Sequence, residues 1–361
     1  MGFEHLDWIM RAEGCEINLT GSSLPPPEVE VSLRGVPSPP PHAGLDELRE
    51  AVAERWGVEK EEVLITAGTS EANLIAVFIL KERCERVAVE WPTYYPLRAL
   101  PGLLSLPTYH LPRRAEGGFR LDLGEYRGDG VILSHLHNPT GAPLGEEAWR
   151  ALQELEAPVL ADEVYGMFHP LRGLAAELRG AMTTSSLSKT AGALGLRVGW
   201  LIADRETVKR ALEIKNTISY MVNPHSQMAA LRILQEEERH IRAWRGRLEG
   251  NFSELSQWAR RRGMSLVGDG LAPISFLITP YFPNTRALAE TLTIYQFLSS
   301  IRTPDGQPLK DSRGRPTSHL KGLLTRVANY LKEDVRLIFV FDGEPHQLKQ
   351  STLERRAERK M

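Results

Sequence analysis

The stretch EVLITAGTSEANLIAVFIL, residues 62 to 80, joins a short apolar run to a longer segment of helical character. Its first part, EVLITAG, has the length of a buried strand and ends in glycine. Its second part opens at Thr69 and Ser70 and continues as an apolar helix. A helical pattern at residues 45 to 57, LDELREAVAERWG, precedes the strand and stops at Gly57. This order of elements indicates a β/α unit.

Five similar apolar runs follow along the chain. They are RVAVEWP (86–92), VILSHLHNPTG (131–141), PVLADEVYG (158–166), AMTTSSLS (181–188) and RVGWLIAD (197–204). Runs of this kind are typical of strands buried on both faces. Their alternation with helical patterns predicts an α/β fold, a three-layer and mainly parallel sheet covered by helices. Ligands of such sheets bind beyond the carboxyl ends of the strands, so a functional site is expected there.

The composition is that of an ordinary globular protein, with 42% hydrophobic and 25% charged residues. A formal net charge of -2 provides no chain-wide basic field, so we expect a small-molecule partner, no nucleic acid and no membrane. Cys15 and Cys84 are too few for a disulfide framework. With no signal-peptide pattern and no long apolar span, the expected location is cytoplasmic.

Proline clusters in residues 22–44 predict an extended arm before the main domain. We divide the chain into an N-terminal arm that is part of a small domain (1–43), a large domain (44–240) and a smaller α+β C-terminal domain (241–361). Within the last, residues 302–322 carry five Lys or Arg against two Asp. This insertion is either a solvated loop or a cover over the site entrance.

Polar residues follow the earlier strands. Gly68, Thr69 and Ser70 open a helix, whose free backbone N–H groups favour an anion such as phosphate. Tyr94 offers a ring for stacking, and Asn138 projects an amide from a turn fixed by its neighbours. Taken singly, an N-cap, rim packing and a plain turn explain these residues as well.

Charged residues stand at the ends of the later strands. Asp162 directly follows an apolar run, where an unpaired carboxylate costs several kcal/mol, so it needs a cationic partner. Lys189 follows the next run, with Ser186 before it and Arg197 eight positions after it. In this apolar context the lysine pKa is expected to be low, which makes the amine a nucleophile suited to a Schiff base.

Together these residues describe one ligand. Its groups and their candidate partners are a phosphate (Ser70, Ser186, Arg197), a flat ring (Tyr94), a protonated ring nitrogen (Asp162), a phenolic oxygen (Asn138, Tyr165) and an aldehyde carbon (Lys189). Pyridoxal 5'-phosphate has all five groups.

The chain resembles the fold-type I pyridoxal-phosphate enzymes and, among them, the class I/II aminotransferases. SLSKTAGALGLRVG (186–199) is similar to their lysine attachment signature, and HNPTG and ADEVYG are similar to two further motifs in the usual order. The resemblance covers residues 15–240. It implies a homodimer that moves an amino group between an L-amino acid and a 2-oxo acid, with no metal in its site.

The resemblance also implies residue roles. Lys189 is the Schiff-base lysine and general base, and Asp162 stabilises the pyridinium; Tyr165 is the third catalytic residue. Arg336 in EDVRLIFVF binds the substrate carboxylate with help from Gly21, and Asn138 is a further substrate-binding residue. The remaining implied roles are phenolate binding (Asn138, Tyr165), ring stacking (Tyr94) and phosphate binding (Gly68, Thr69, Ser70, Ser186, Arg197).

Two departures and one alternative accompany the resemblance. Many relatives carry a phosphate-binding tyrosine where this chain has Pro39, with only Ser38 and His42 as polar substitutes. Residues 216–226 hold no basic residue except His225, so specificity for aspartate by that route lacks support. A C–S lyase or a decarboxylase on the same fold uses the same cofactor residues and remains an alternative.

Overall fold

The computed structural model describes Leu24 and residues 41–124, 126, 128–170, 173–178 and 180–278. The chain divides into two units, Met1–Thr279 and Pro280–Met361, and every described residue belongs to the first. The predicted boundary at residue 240 falls inside one continuous helix, Pro224–Arg260, and the predicted domain limits stay predictions.

Helices and strands alternate through most of this first unit. In chain order the described elements are α1 (Asp46–Trp56), β1 (Val63–Thr66), α2 (Thr69–Arg83), β2 (Val87–Trp91), α3 (Tyr95–Leu103), β3 (Thr108–Pro112), β4 (Val131–Ser134), α4 (Gly145–Gln153), β5 (Val159–Asp162), α5 (Leu174–Glu177), β6 (Ala181–Ser186), α6 (Leu187–Thr190), β7 (Gly199–Ile202), α7 (Arg205–Ile218), α8 (Pro224–Arg260), β8 (Ser265–Val267) and β9 (Phe276–Ile278). No helix within these ranges is both long and apolar enough to cross a membrane.

Seven strands form the main sheet, in the order β1-β7-β6-β5-β4-β2-β3. Strand β7 runs antiparallel to both of its neighbours, and the other adjacent pairs are parallel. The predicted mainly parallel sheet is confirmed. Strand β3 was not predicted, because its sequence TYHLP lacks a continuous apolar run and lies partly exposed at the edge.

Alternate residues of the strands enter two different hydrophobic layers, as the pleat of a strand requires. On one face Leu64 and Leu160 pack with apolar residues of α2 and α7. On the other face Ile65 and Trp200 pack with α1 and α8, and Leu133 packs with α4. Helices therefore cover both faces, which confirms the three-layer α/β arrangement.

One edge of the sheet collects the ends of five strands. The register aligns Ser134 with Asp162 on the parallel strands β4 and β5. It aligns Ser186 and Thr66 with Gly199, the first residue of β7. Because β7 is antiparallel, the chain just before it lies at the same edge as the carboxyl ends of its neighbours. This direction brings the segment that contains Arg197 to the expected site.

Candidate cofactor site

Asp162 is the last residue of β5 and is 4% exposed. Asn73 Nδ2 donates a hydrogen bond to its Oδ2 over 2.8 Å, and the Val164 backbone N–H donates to its Oδ1 over 3.1 Å. Burial raises the pKa of this carboxyl to about 6, the two hydrogen bonds oppose the rise, Glu90 adds to it and Lys189 opposes it. Since both hydrogen-bond donors are neutral, the carboxylate is suited to a cationic ligand.

Lys189 lies in the short helix α6, which begins where β6 ends. Ser186 caps this helix by accepting a hydrogen bond from the Ser188 backbone N–H over 3.4 Å. Burial lowers the pKa of Lys189, and the nearby charge of Asp162 opposes that effect. The lysine Nζ lies 6.0 Å from the centroid of the buried Tyr165 ring. The lysine and the carboxylate thus influence each other at one edge of the sheet.

The start of α2 faces Arg197. A Cβ at Gly68 would lie 2.5 Å from Arg197 Nη2, so the guanidinium sits directly against this glycine. The same Nη2 donates a long hydrogen bond of 3.4 Å to the Ala67 carbonyl. The Thr69 Oγ1 is buried and has no hydrogen-bond partner among the described residues. This hydroxyl, the N–H groups of the first helical turn and the guanidinium together fit a phosphate.

Tyr94 directly precedes α3 and is partly buried. Burial raises the pKa of its phenol, the charge of Asp162 raises it further, and the charge of Arg197 opposes both. Tyr94 therefore lies within electrostatic reach of the carboxylate and of the guanidinium, which are the two ends of the expected ligand site.

Asn138 is held by the loop that follows β4. Its backbone N–H donates to Ser134 Oγ over 3.0 Å. His137 Nε2 contacts the Pro92 carbonyl at 2.7 Å, and its Nδ1 contacts Thr140 Oγ1 at 2.6 Å. Because a carbonyl only accepts, Nε2 is the donor and Nδ1 accepts from the hydroxyl. Burial lowers the pKa of His137 to about 4, so a neutral imidazole joins this loop to the turn after β2.

Three buried polar residues of this region were missed by the sequence analysis. Glu90 Oε1 accepts from the Ser134 backbone N–H at 2.6 Å and from its Oγ at 2.5 Å, and Arg113 Nε donates to Glu90 Oε2 at 2.7 Å. Asn73 supports Asp162. In the sequence, Glu90 stands out only as a charged residue at the end of the run RVAVE, and Asn73 only as an amide inside the apolar run ANLIAVFIL.

Several predicted positions lie outside the described residues. They are Gly21, Ser38, Pro39 and Arg336. Leu24, three residues after Gly21 in the sequence, donates its backbone N–H to the Lys189 carbonyl over 2.9 Å. The chain at Leu24 therefore contacts the helix that carries the lysine.

The described side chains fit pyridoxal 5'-phosphate at both ends. The Thr69 hydroxyl and Arg197 suit its phosphate, and the buried Asp162 suits a protonated ring nitrogen. Ser70 is exposed in the first turn of α2, next to Thr69. Within the described ranges, no group of three or more His, Cys, Asp or Glu residues is arranged to hold a metal.

Comparison with known proteins connects most of the chain to one family. The model of the class I and II aminotransferases matches residues 32–275. An aromatic aminotransferase from Pyrococcus horikoshii is similar in structure, with a TM-score of 0.60 and 23% identity over 73% of this chain and 79% of that one. An aminotransferase from Streptococcus suis that depends on pyridoxal phosphate has a TM-score of 0.61 and 19% identity, over 92% and 88%.

A second family model, the XPG N-terminal domain, matches residues 275–361. Flap endonuclease 1 of Methanopyrus kandleri is 51% identical over 98 residues, which are 25% of this chain and 28% of that protein. The Archaeoglobus fulgidus enzyme is 49% identical over 81 residues, 22% and 24%. The chain thus spans about a quarter of the length of these curated relatives.

Arg336 and residues 302–322 lie in the second matched segment, beyond the aminotransferase match. Arg336 therefore lies in a segment that is similar to a different family, and its carboxylate-binding role stays a prediction. The first match extends over about two thirds of the sequence and contains Asp162, Lys189 and Arg197. The chain belongs to the class I and II aminotransferase family.

Proposed function

We propose that this chain is a pyridoxal-phosphate-dependent aminotransferase that moves an amino group between an L-amino acid and a 2-oxo acid. The observation that carries the proposal is the mutual influence of Lys189 and Asp162, next to a helix start covered by Arg197. When bound, pyridoxal 5'-phosphate supplies an aldehyde that reacts with amines and a ring that accepts electrons.

Each side chain has a role that its surroundings support. Lys189, with a pKa lowered by burial, would hold the cofactor through its amine and would serve as the base that moves the α-proton of the substrate. Asp162 holds the proton on the ring nitrogen. The other proposed roles are ring stacking (Tyr94), phenolic-oxygen binding (Asn138, Tyr165), phosphate binding (Gly68, Thr69, Ser70, Ser186, Arg197) and substrate-carboxylate binding (Gly21, Arg336).

A homodimer and a cytoplasmic location belong to the same proposal. The dimer rests on the family resemblance alone. The location rests on the two cysteines and on the reducing compartment that they suit.

Transfer of ¹⁵N tests the reaction. The full chain with pyridoxal 5'-phosphate is incubated with single ¹⁵N-labelled L-amino acids and a 2-oxo acid acceptor, and the products are separated by mass. We expect ¹⁵N in the amino acid formed from the acceptor. Release of ¹⁵N as ammonia with pyruvate would replace the proposal with a C–S lyase, and loss of the carboxyl carbon as CO₂ would replace it with a decarboxylase.

We also propose that the C-terminal segment binds nucleic acid. Its similarity to flap endonucleases is one support. Its charge is the other, since residues 280–361 hold 14 Lys or Arg and 9 Asp or Glu, whereas residues 1–279 hold 30 and 37. The net charge of the whole chain, from which we expected no nucleic-acid partner, conceals this difference. The proposal is limited to binding, and the matched segment has about a quarter of the length of that endonuclease.

Fluorescence anisotropy with a labelled DNA duplex that carries a single-stranded flap tests this second proposal. Changing Arg313, Arg315 and Lys321 to Gln in the full chain should weaken binding by about tenfold and reduce its salt dependence, because fewer phosphate contacts release fewer counterions. The matched control changes three exposed arginines of α8 to Gln (Arg232, Arg242, Arg245). Equal effects of the two triple changes, or no binding at about 50 mM salt, would reject the proposal.

A further inference from the structure

Asn73 is the one polar residue among the seven buried residues of α2. It is 2% exposed. A buried amide must satisfy both its donors and its acceptor, so its position inside an apolar helix face calls for specific partners. None of the roles derived from the family motifs uses this residue.

The partners of Asn73 connect β6 to β5. Thr184 Oγ1 donates to Asn73 Oδ1 over 2.5 Å, and Asn73 Nδ2 donates to Asp162 Oδ2 over 2.8 Å. Thr184 is fully buried and is aligned with Asp162 in the register of the two strands. Because the hydroxyl occupies the amide oxygen, the NH₂ group is the part that faces the carboxylate.

This arrangement favours the charged form of Asp162. A hydrogen bond donated to a carboxylate lowers its pKa, and here the amide opposes the effect of burial. The other charged or ionisable groups that act on the carboxylate are Glu90 from β2, Lys189 from α6 and Tyr94 from the turn before α3.

The same helix also begins at the anion site. Thr69, whose hydroxyl lacks a partner in the described part of the chain, is the first residue of α2, and Asn73 follows about one turn later. We propose that Asn73, held by Thr184, is a positioning residue that orients Asp162 and keeps it ionised toward the ring nitrogen of the cofactor. Helix α2 thereby links the two ends of the cofactor site. This inference rests on the proposed cofactor.

Four single variants of the full chain test the proposal. Asn73→Leu removes the amide at similar volume, and Thr184→Val removes only the hydroxyl that orients it. Thr184→Ser keeps that hydroxyl and is the rescue variant. Thr183→Val is the matched control, because Thr183 lies one residue away on β6 and bonds instead to Glu163 and the Ala175 backbone.

Two quantities are measured for each variant. The first is the pKa of Asp162 in the cofactor-free chain, which is measured from the change of its carboxyl ¹³C chemical shift with pH. The signal that is missing in Asp162→Asn identifies this carboxyl group. The second is the dissociation constant of pyridoxal 5'-phosphate. We expect Asn73→Leu to raise the pKa of Asp162 by about 1 and the dissociation constant by about tenfold, since a hydrogen bond to a charged group is lost.

Thr184→Val should show a smaller change in the same direction, and Thr184→Ser should recover most of it. Thr183→Val should leave the pKa of Asp162 within about 0.3 and the dissociation constant within about twofold of the values for the starting chain. Equal effects of Thr183→Val and Thr184→Val, or an unchanged pKa of Asp162 in Asn73→Leu, would overturn the proposal. If Asn73→Leu fails to fold, the threonine variants still decide. If the unaltered chain binds no pyridoxal 5'-phosphate, the proposed function fails, whereas the pKa measured without cofactor still decides whether Asn73 controls Asp162.

Discussion

Asp162 is a buried carboxyl whose pKa burial raises from 3.8 to about 6, although the charge of Lys189 opposes the rise. Between these two values the folded chain binds more protons than the unfolded chain. The stability of the cofactor-free protein therefore falls as pH rises through this window. The ionised carboxylate of Asp162 therefore destabilises the cofactor-free fold, and binding of a cationic ligand would offset this cost.

Asp162→Asn removes this titration. At about pH 8 we expect the free energy of unfolding of the cofactor-free variant to exceed that of the starting chain by about 1 to 3 kcal/mol, with a smaller difference at about pH 4. Urea unfolding followed by circular dichroism measures it. The exposed Asp122→Asn change is the control. A difference that does not vary with pH would contradict the role assigned to burial.

The residues that the sequence predicts best are those that end a strand. Asp162 and Lys189 follow buried apolar runs, so their positions at the carboxyl edge follow from the strand pattern. Asn73 and Glu90 were missed because each lies inside an element, where the apolar pattern dominates and one polar residue has little effect on it. Most of their hydrogen-bond partners lie far away in the sequence and come close only in the folded sheet, so spacing along the chain does not reveal them.

At the scale of elements, the position of β7 requires that the backbone at Gly199 lie close to the backbone at Gly68 and at Ser185. A Cβ at Gly199 would lie 2.6 Å from the Gly68 carbonyl carbon and 2.7 Å from the Ser185 carbonyl oxygen. Backbone atoms cannot move aside as a flexible side chain does. A glycine is therefore needed where β7 starts beside Gly68 and the first turn of α2.

Gly199→Ala should lower the free energy of unfolding by about 2 kcal/mol or more and weaken cofactor binding, because β7 must shift away from Gly68. Gly195→Ala is the matched control, since a Cβ there meets no atom within 4 Å. It should change stability by no more than about 0.5 kcal/mol. Chemical denaturation of both variants makes the comparison, and equal losses would show that the close approach is not what requires Gly199.

The strand positions were predictable, whereas their directions were not. The run RVGWLIAD satisfies a buried strand equally well in either direction, so the antiparallel β7 required the structure. Strand β3 escaped prediction because an edge strand need not be apolar on both faces. The helix α8 continues through the predicted limit at residue 240, so that limit does not coincide with the end of an element.

At the scale of the whole molecule, two family matches meet at residue 275. Residues 241–361 are predicted from the sequence to form one small domain, because a run such as VRLIFVF is compatible with many α/β proteins. Apolar periodicity reports burial and carries no information about family membership. The difference in net charge between residues 1–279 and 280–361 can be read from the sequence, but only after the chain has been divided at residue 280.

Covalent attachment of pyridoxal 5'-phosphate tests the central claim most directly. The full chain is incubated with the cofactor, reduced with borohydride and digested, and the modified lysine is located by mass spectrometry. Lys215 is an internal comparison, because it is buried, has a pKa lowered by burial, and donates hydrogen bonds to the carbonyls of His42 and Tyr220. We predict stoichiometric modification of Lys189 and none of Lys215. Modification at Lys215, at scattered lysines or at none would contradict the account.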